Sequence, residues 1–224
     1  MKQTSGVVWI TTHRLVLRKW RWRWAITNLF YLAACLFLIT NIMSEKKTII
    51  EYQYKDSKLE ELQLKGEIHN ILRSKGLSLG QGIDIADIVI QQSKDLNLPV
   101  ALILAVIKQE SQFDPTAISS KKALGIMQIN PITWNEYIAK LNLDVTTNAV
   151  FDPVMNIKVG TSILSDLYKY YKDKSKSEKA IWEMVLASYY AGKTSVAQTG
   201  IQENHRKYIS RVTQNERNFM KVGQ

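Results

Sequence analysis

Eight consecutive apolar residues, Val100 to Ile107, leave no polar face for water. A helix apolar all round is stable only inside a core, so the rest of the fold has to be built around this one. Pro99 suits its start, where a missing N–H would go unpaired anyway. The run stops at Lys108-Gln109-Glu110-Ser111, and Asp114-Pro115 forbids much further helix. One carboxyl, that of Glu110, is thereby delivered to the C-terminal end of a buried helix. The negative pole of the helix and the apolar surroundings both favour its protonated form. A carboxylic acid kept neutral near pH 7 can donate a proton to a leaving group. On pattern alone Glu110 is either such an acid or a solvated residue closing a core helix.

A second apolar stretch, Trp24 to Met43, holds twenty residues without a charge. At about 1.5 Å per residue it spans roughly 30 Å, the thickness of a bilayer's hydrocarbon core. Trp20, Trp22 and Trp24 alternate with arginines at its start, as in an interfacial aromatic belt. The net charge of +10 is unevenly spread: residues 1–23 carry six basic groups and no acid, leaving +4 for residues 44–224. Basic flanks mark the cytoplasmic side. The expectation is a cytoplasmic segment 1–23, a transmembrane signal anchor 24–43, and everything beyond outside the cytoplasm. Leu32-Ala33-Ala34-Cys35 also resembles the lipobox of bacterial lipoproteins, in which Cys35 would be acylated after cleavage. The apolar run continues past Cys35, which favours the uncleaved anchor. A lone cysteine permits no intramolecular disulfide.

Residues 44–82 are charged and partly helical in spacing, with Leu59, Leu62, Ile68, Ile71 and Leu72 on the pattern, and are expected as a linker or stalk. Gly76, Gly80 and Gly82 punctuate the chain and set the boundary of a globular domain at 83–224. Within it, Ile85, Ile88, Val89 and Leu96 mark an amphipathic helix. Lys121 to Asn130 suits a loop with a small extended element. Asp152-Pro153 forms an N-cap and first turn, Ser177 caps a further helix, and Gly192 ends it. Tyr208, Ile209, Val212 and Phe219 line a last helix. No segment has convincing strand character, so the fold class is mainly α.

Four ordered motifs narrow the chemistry. Glu110-Ser111-x-Phe113-x-Pro115-x-Ala117-x-Ser119, followed by Gly125-Ile126-Met127-Gln128, resembles the catalytic segment of soluble lytic transglycosylases, a family with a goose-lysozyme-like fold. Ser119 lies nine residues and Gln128 eighteen residues after the glutamate, as that segment requires. Asp152-Pro153-x-x-Asn156-Ile157-x-x-Gly160 resembles the family's helix-opening segment. Ser188-Tyr189-Tyr190-Ala191-Gly192 is similar to its Ala-Tyr-Asn-Ala-Gly motif, with Tyr190 where the motif has asparagine. His205-Arg206-Lys207-Tyr208-Ile209 resembles the late tyrosine-containing segment.

The resemblance implies a lysozyme-like helical domain that cuts the β-1,4 bond between N-acetylmuramic acid and N-acetylglucosamine in peptidoglycan. Glu110 would be the single acid and base, and the product would carry 1,6-anhydro ends. Most glycosidases need two carboxyls; Asp114 belongs to a turn, and Asp144 and Asp152 to a loop and a cap. The resemblance assigns Ser119 and Gln128 to hydrogen bonds in the cleft, Met127 and Tyr189 to walls facing the sugar, Tyr190 to a subsite, and Tyr208 to the catalytic carboxyl. It implies no metal and no cofactor. The expected partners are peptidoglycan glycan strands and the membrane, with an envelope-spanning machine as a further possibility. Nucleic acid is not expected, since 44–224 carries only +4 and no pattern of stacking aromatics. A goose-type muramidase that uses water, and a tethered scaffold that binds glycan without cutting, are the competing readings.

Overall fold

In a computed structural model, residues 5–175 and 177–220 are described. They form α1 (Ser5–Ser74), α2 (Leu79–Leu96), α3 (Val100–Ser111), α4 (Pro131–Lys140), a 3-10 turn (Thr147–Phe151), α5 (Pro153–Lys172), α6 (Glu178–Ala191), α7 (Lys193–Thr199) and α8 (Glu203–Met220). Among the described residues the only extended pairings are isolated bridges, Ile118 with Leu124 and Leu124 with Ile129. The domain is mainly α, and the loop between α3 and α4 holds the small extended element expected there. By contacts the chain divides into two units, 1–60 and 61–224.

The first unit belongs to α1. Its apolar stretch is long and apolar enough to cross a membrane, and none of it is buried against protein. Leu29, Phe30, Leu36 and Phe37 are each at least 60% exposed. A core helix would have covered them, and a soluble surface rarely exposes so large an apolar patch.

The second unit is built on α3. Leu102 to Ile107 are all buried, the last three completely, as a helix without a polar face demands. α8 packs along α3, while α2 and α6 join through α5. Ile68 and Leu72, from the end of α1, are in the same core. Only the end of the helical spacing seen between Leu59 and Leu72 has an apolar partner; Leu59 and Leu62 stay exposed.

Local signals set most helix ends. Asp152 Oδ1 accepts from the amides of Val154 and Met155 at 2.8 and 3.0 Å and opens α5, with Pro153 in the first turn. Ser177 caps α6, and Gly192 closes it at φ +85°. α2, however, begins at Leu79 rather than at Ile83. Ser78 and Gln81 form a reciprocal capping box, so Gly80 and Gly82 lie inside the first turns and only Gly76, at φ +88°, is a turn. Gly82 is buried there beside His69, and an added Cβ would approach that ring to 2.9 Å. The glycine marks close helix packing, not a break.

Candidate active site

Glu110 sits in the last turn of α3, half-buried. Ser111 fastens this helix end: its hydroxyl donates to the carbonyl of Ile126 at 2.7 Å. The loop that follows is a hydrogen-bonded unit. Gly125 N–H donates to Ala117 O, and Leu124 and Ile129 exchange backbone bonds of 3.0 and 2.9 Å. Asn156, fully buried on α5, clamps this loop from below. Its Oδ1 accepts from Met127 N–H at 2.8 Å and its Nδ2 donates to Val150 O and Leu124 O at 2.7 and 3.2 Å. Gly125 is required against that clamp: at φ +78° it leaves no room for a Cβ, which would lie 2.3 Å from Asn156 Nδ2.

Tyr208 on α8 donates its hydroxyl to Glu110 Oε1 at 2.5 Å. Burial pushes the Glu110 carboxyl up from its usual 4.5 to about 7, against the opposing pull of the Tyr208 bond. Glu110 and burial together push the phenols of Tyr189 and Tyr208 well above their ordinary value, burial being the larger cause. Near neutral pH the carboxyl is therefore divided between its two protonation states, the condition for giving and taking a proton in turn. Two nearby carboxyls are engaged locally: Asp114 Oδ1 accepts from the Thr116 amide at 2.8 Å, and Asp152 caps α5, while Glu136 lines the groove described next.

A groove of about 800 Å³ runs beside this acid, lined by Gln128, Tyr137, Asp166, Tyr170, Tyr189 and Tyr190, among others. Glu110 is not itself part of that lining; it connects to the groove through aromatic rings. Tyr190 stacks on Tyr208 with ring centres 4.8 Å apart and planes at 25°. Lys121, from the α3–α4 loop, lies 6.0 Å from the centre of the Tyr190 ring.

The expected site residues divide. Tyr208, Tyr189, Tyr190 and Glu110 are brought together. Gln128 lines the groove, but its amide donates to Ala117 O and Gly125 O at 3.0 and 2.9 Å and so braces the loop. Ser119 accepts from Ala123 N–H at 2.9 Å, within the same loop. Met127 is a correction: its side chain is fully buried and lies against Gly160, where a Cβ would come within 2.4 Å of its sulfur. It cannot face a sugar, and its contribution is a carbonyl that accepts from Tyr189 Oη at 2.9 Å. Asn156 had no role assigned from sequence; an amide directly before apolar Ile157, on a face that also carries Gly160, was the available signal. At the far end of the groove Asp166 accepts from Tyr137 Oη at 2.8 Å and from Lys140 Nζ at 2.5 Å, a cluster with no sequence motif. Burial would raise the Asp166 carboxyl, but the Lys140 and Tyr137 bonds outweigh it and hold it below the usual range.

A family model described as the transglycosylase SLT domain matches residues 87–212. The chain belongs to that family. Membrane-bound lytic murein transglycosylase C of Yersinia enterocolitica serotype O:8 is 32% identical over 112 residues, covering 49% of this chain and 31% of that protein. The protein of the same name from Shigella sonnei is 27% identical over 177 residues, 71% of this chain and 49% of that protein. The chain thus spans about a third to a half of the length of these curated relatives. Among solved structures, an inactive mutant of lytic transglycosylase Slt from Pseudomonas aeruginosa superposes with a TM-score of 0.52 at 23% identity, over 59% of this chain and 23% of that one. The 70 kDa soluble lytic transglycosylase of Escherichia coli gives 0.52 at 19%, over 72% of this chain and 30% of that one. These likenesses establish the lysozyme-like helical fold.

Proposed function

We propose that this chain is a peptidoglycan lytic transglycosylase with Glu110 as its only acid and base. The observation that carries the reading is a carboxyl at the end of a buried helix, desolvated, bonded to Tyr208 and, among the described residues, paired with no cation. Protonated Glu110 donates to the oxygen linking N-acetylmuramic acid to N-acetylglucosamine, and the C1–O bond breaks. The muramyl acetamido group stabilises the cation that develops at C1. The C6 hydroxyl of the same sugar then attacks C1, and its proton returns to the Glu110 carboxylate, leaving a 1,6-anhydro end. A nucleophile tethered to the reacting sugar has the advantage of high effective concentration and needs no second carboxylate to activate water. Ser119 and Gln128 act by holding the loop beside the cleft, Tyr189 and Tyr190 by forming its wall, and Tyr208 by orienting the acid.

Its membrane arrangement follows from the same stretch of α1. Residues 1–23 are cytoplasmic, 24–43 cross the bacterial inner membrane once, 44–60 are a spacer, and 61–224, which take in the end of α1 as well as 83–224, carry the chemistry in the periplasm or its equivalent. The two curated relatives, both named as membrane-bound, support attachment to a membrane. Acylation at Cys35 is the alternative, and Cys35→Ser distinguishes them: an uncleaved anchor keeps its membrane fraction and its mass, a lipoprotein loses its lipid.

Purified sacculi test the reaction. Wild-type protein is expected to release anhydromuramic ends, and Glu110→Gln to lower lysis by about a thousandfold or more, equivalent to ~4 kcal/mol of barrier. Reducing muramic ends would make the chain a muramidase. Binding without release of any product by the wild type would make it a scaffold.

A further inference from the structure

The groove extends away from Glu110 to a second aromatic face that the proposed chemistry does not use. Tyr170, on the last turn of α5, is 38% exposed and lines it. Its ring is held in place from behind: Tyr171 packs edge-on at 4.9 Å and 82°, and Tyr171 is tied to α6 by a 2.8 Å hydroxyl contact with Ser188. Two ammonium groups converge on this one ring. Lys174 Nζ is 3.4 Å and Lys193 Nζ 4.7 Å from its centre, the second from a different helix and itself part of the groove wall.

Two like charges held at one ring repel each other, and the ring's attraction offsets only part of that. Neither lysine forms an ion pair among the described residues. Two acids of this region are engaged elsewhere. Asp166 is taken by Lys140 and Tyr137, and Glu178 by Tyr168 and Trp182. Glu136, in the second half of α4, also lines the groove, but forms no ion pair with either lysine among the described residues. Lys121 adds a third positive charge to the wall near Tyr190. An anion with some apolar surface would relieve the repulsion and cover the Tyr170 face at once.

We propose that Tyr170, Lys174 and Lys193 form a subsite for the carboxylates of the peptide stem borne by a muramyl residue, so that peptide-bearing strands are cut in preference to bare ones. The inference rests on the transglycosylase reading above. Within an intact strand the sugars are neutral and the lactyl carboxyl is consumed in the amide to the stem. The stem carboxylates are thus the anions such a groove meets in its own substrate. A stem also brings methyl and methylene groups to lie on the phenol ring, which a free phosphate would not.

Three strands of equal length distinguish the outcomes: peptide-bearing, peptide-bearing with the stem carboxylates amidated, and stripped to the lactyl carboxyl by an amidase. The full chain in detergent is expected to cut the first about tenfold faster than the other two. Raising the salt should shrink that ratio. Lys174→Gln with Lys193→Gln should lower the rate on the first strand to the wild-type rate on the amidated one, leaving the rates on the other two unchanged. Equal wild-type rates on the charged and amidated strands would overturn the subsite. So would a double variant that slows all three alike, or a stripped strand cut as fast as the peptide-bearing one, which would assign the lysines to the lactyl carboxylate. A wild type that cuts none of the three overturns the transglycosylase reading itself, and the subsite with it.

Discussion

Glu110 and Asp166 each accept a hydrogen bond from a tyrosine, Tyr208 at 2.5 Å and Tyr137 at 2.8 Å. Burial pushes both carboxyls upward, yet Glu110 rises to about 7 while Asp166 falls below its ordinary value. Two things differ: Asp166 is the less desolvated of the two, and the Lys140 ammonium lies 2.5 Å from its Oδ2, whereas among the described residues no cation bonds Glu110. At Glu110 a phenol hydrogen bond does not outweigh desolvation; at Asp166 an ammonium and a phenol together outweigh a smaller one. The acid able to donate a proton is therefore the more desolvated one, which no cation among the described residues bonds.

The largest effect expected is on stability at alkaline pH, and it isolates the desolvation of Glu110. The folded protein binds this proton more tightly than the unfolded chain does, so the contribution is fully present below about pH 4.5. It is lost as pH rises towards about 7. Above that, wild type should be less stable than Glu110→Gln by up to about 3 kcal/mol, a gap that closes at pH 4. Urea midpoints of both proteins across pH 4–8 measure it. A gap that does not change with pH would mean that Glu110 is solvated.

Asn156→Ala loosens the cover over the same helix end. It leaves the amide of Met127 and the carbonyl of Val150 without the partner Asn156 gives them, while Leu124 O keeps the amide of Ile129; the loss costs about 2 kcal/mol at any pH. Water reaching the α3 terminus should then bring the Glu110 carboxyl back down from about 7, making it more like Asp166. Titration followed by carboxyl NMR would detect the shift, and an unchanged value in a destabilised protein would uncouple the loop from the acid.

How much of this was open to sequence depends on how far apart the partners lie. The buried helix α3, the acid at its end, and the caps at Asp152 and Ser177 are encoded within a few residues and were legible. The Tyr208 contact was accessible only through the resemblance, because 98 residues separate it from Glu110. Met127 was misassigned because a methionine after a glycine reads equally as wall or filler until Gly160 is seen pressed against it. Gly80 and Gly82 looked like breaks because glycine composition hides the capping box that spans them. α4 escaped notice although Asn130-Pro131 is an N-cap followed by a first-turn proline, and with it went the Tyr137–Lys140–Asp166 cluster. Side chains that meet only across two helices leave no local trace.

A smaller effect is expected of Tyr208→Phe, which keeps the ring that stacks on Tyr190 and deletes one hydrogen bond. That bond lowers the Glu110 value, so its loss should move the carboxyl above about 7 and carry the alkaline limb of the lytic pH profile upward. Lysis at the optimum should fall about tenfold, ~1.4 kcal/mol, within the range for hydrogen bonds to charged groups. A purely structural tyrosine would lower the rate without moving the limb.

The smallest effect belongs to Asp166→Asn, and it tests the other half of the contrast. Because the folded value lies below the usual 3.8, the carboxylate stabilises the protein above that pH, and the benefit is lost as pH falls through the folded value. The Lys140 and Asp166 side chains are 52% and 30% exposed, so solvent screens most of the attraction. The substitution should therefore cost less than about 1 kcal/mol at pH 7 and progressively less as the pH falls below 3.8 towards pH 2, read from urea midpoints. An undiminished deficit at pH 2 would assign the loss to the Tyr137 contact instead. A cation near a half-open carboxylate can fix its charge while contributing little to stability. For Glu110 the balance runs the other way: its proton is kept by exclusion of water, which the whole packing of α3 and its loop has to maintain.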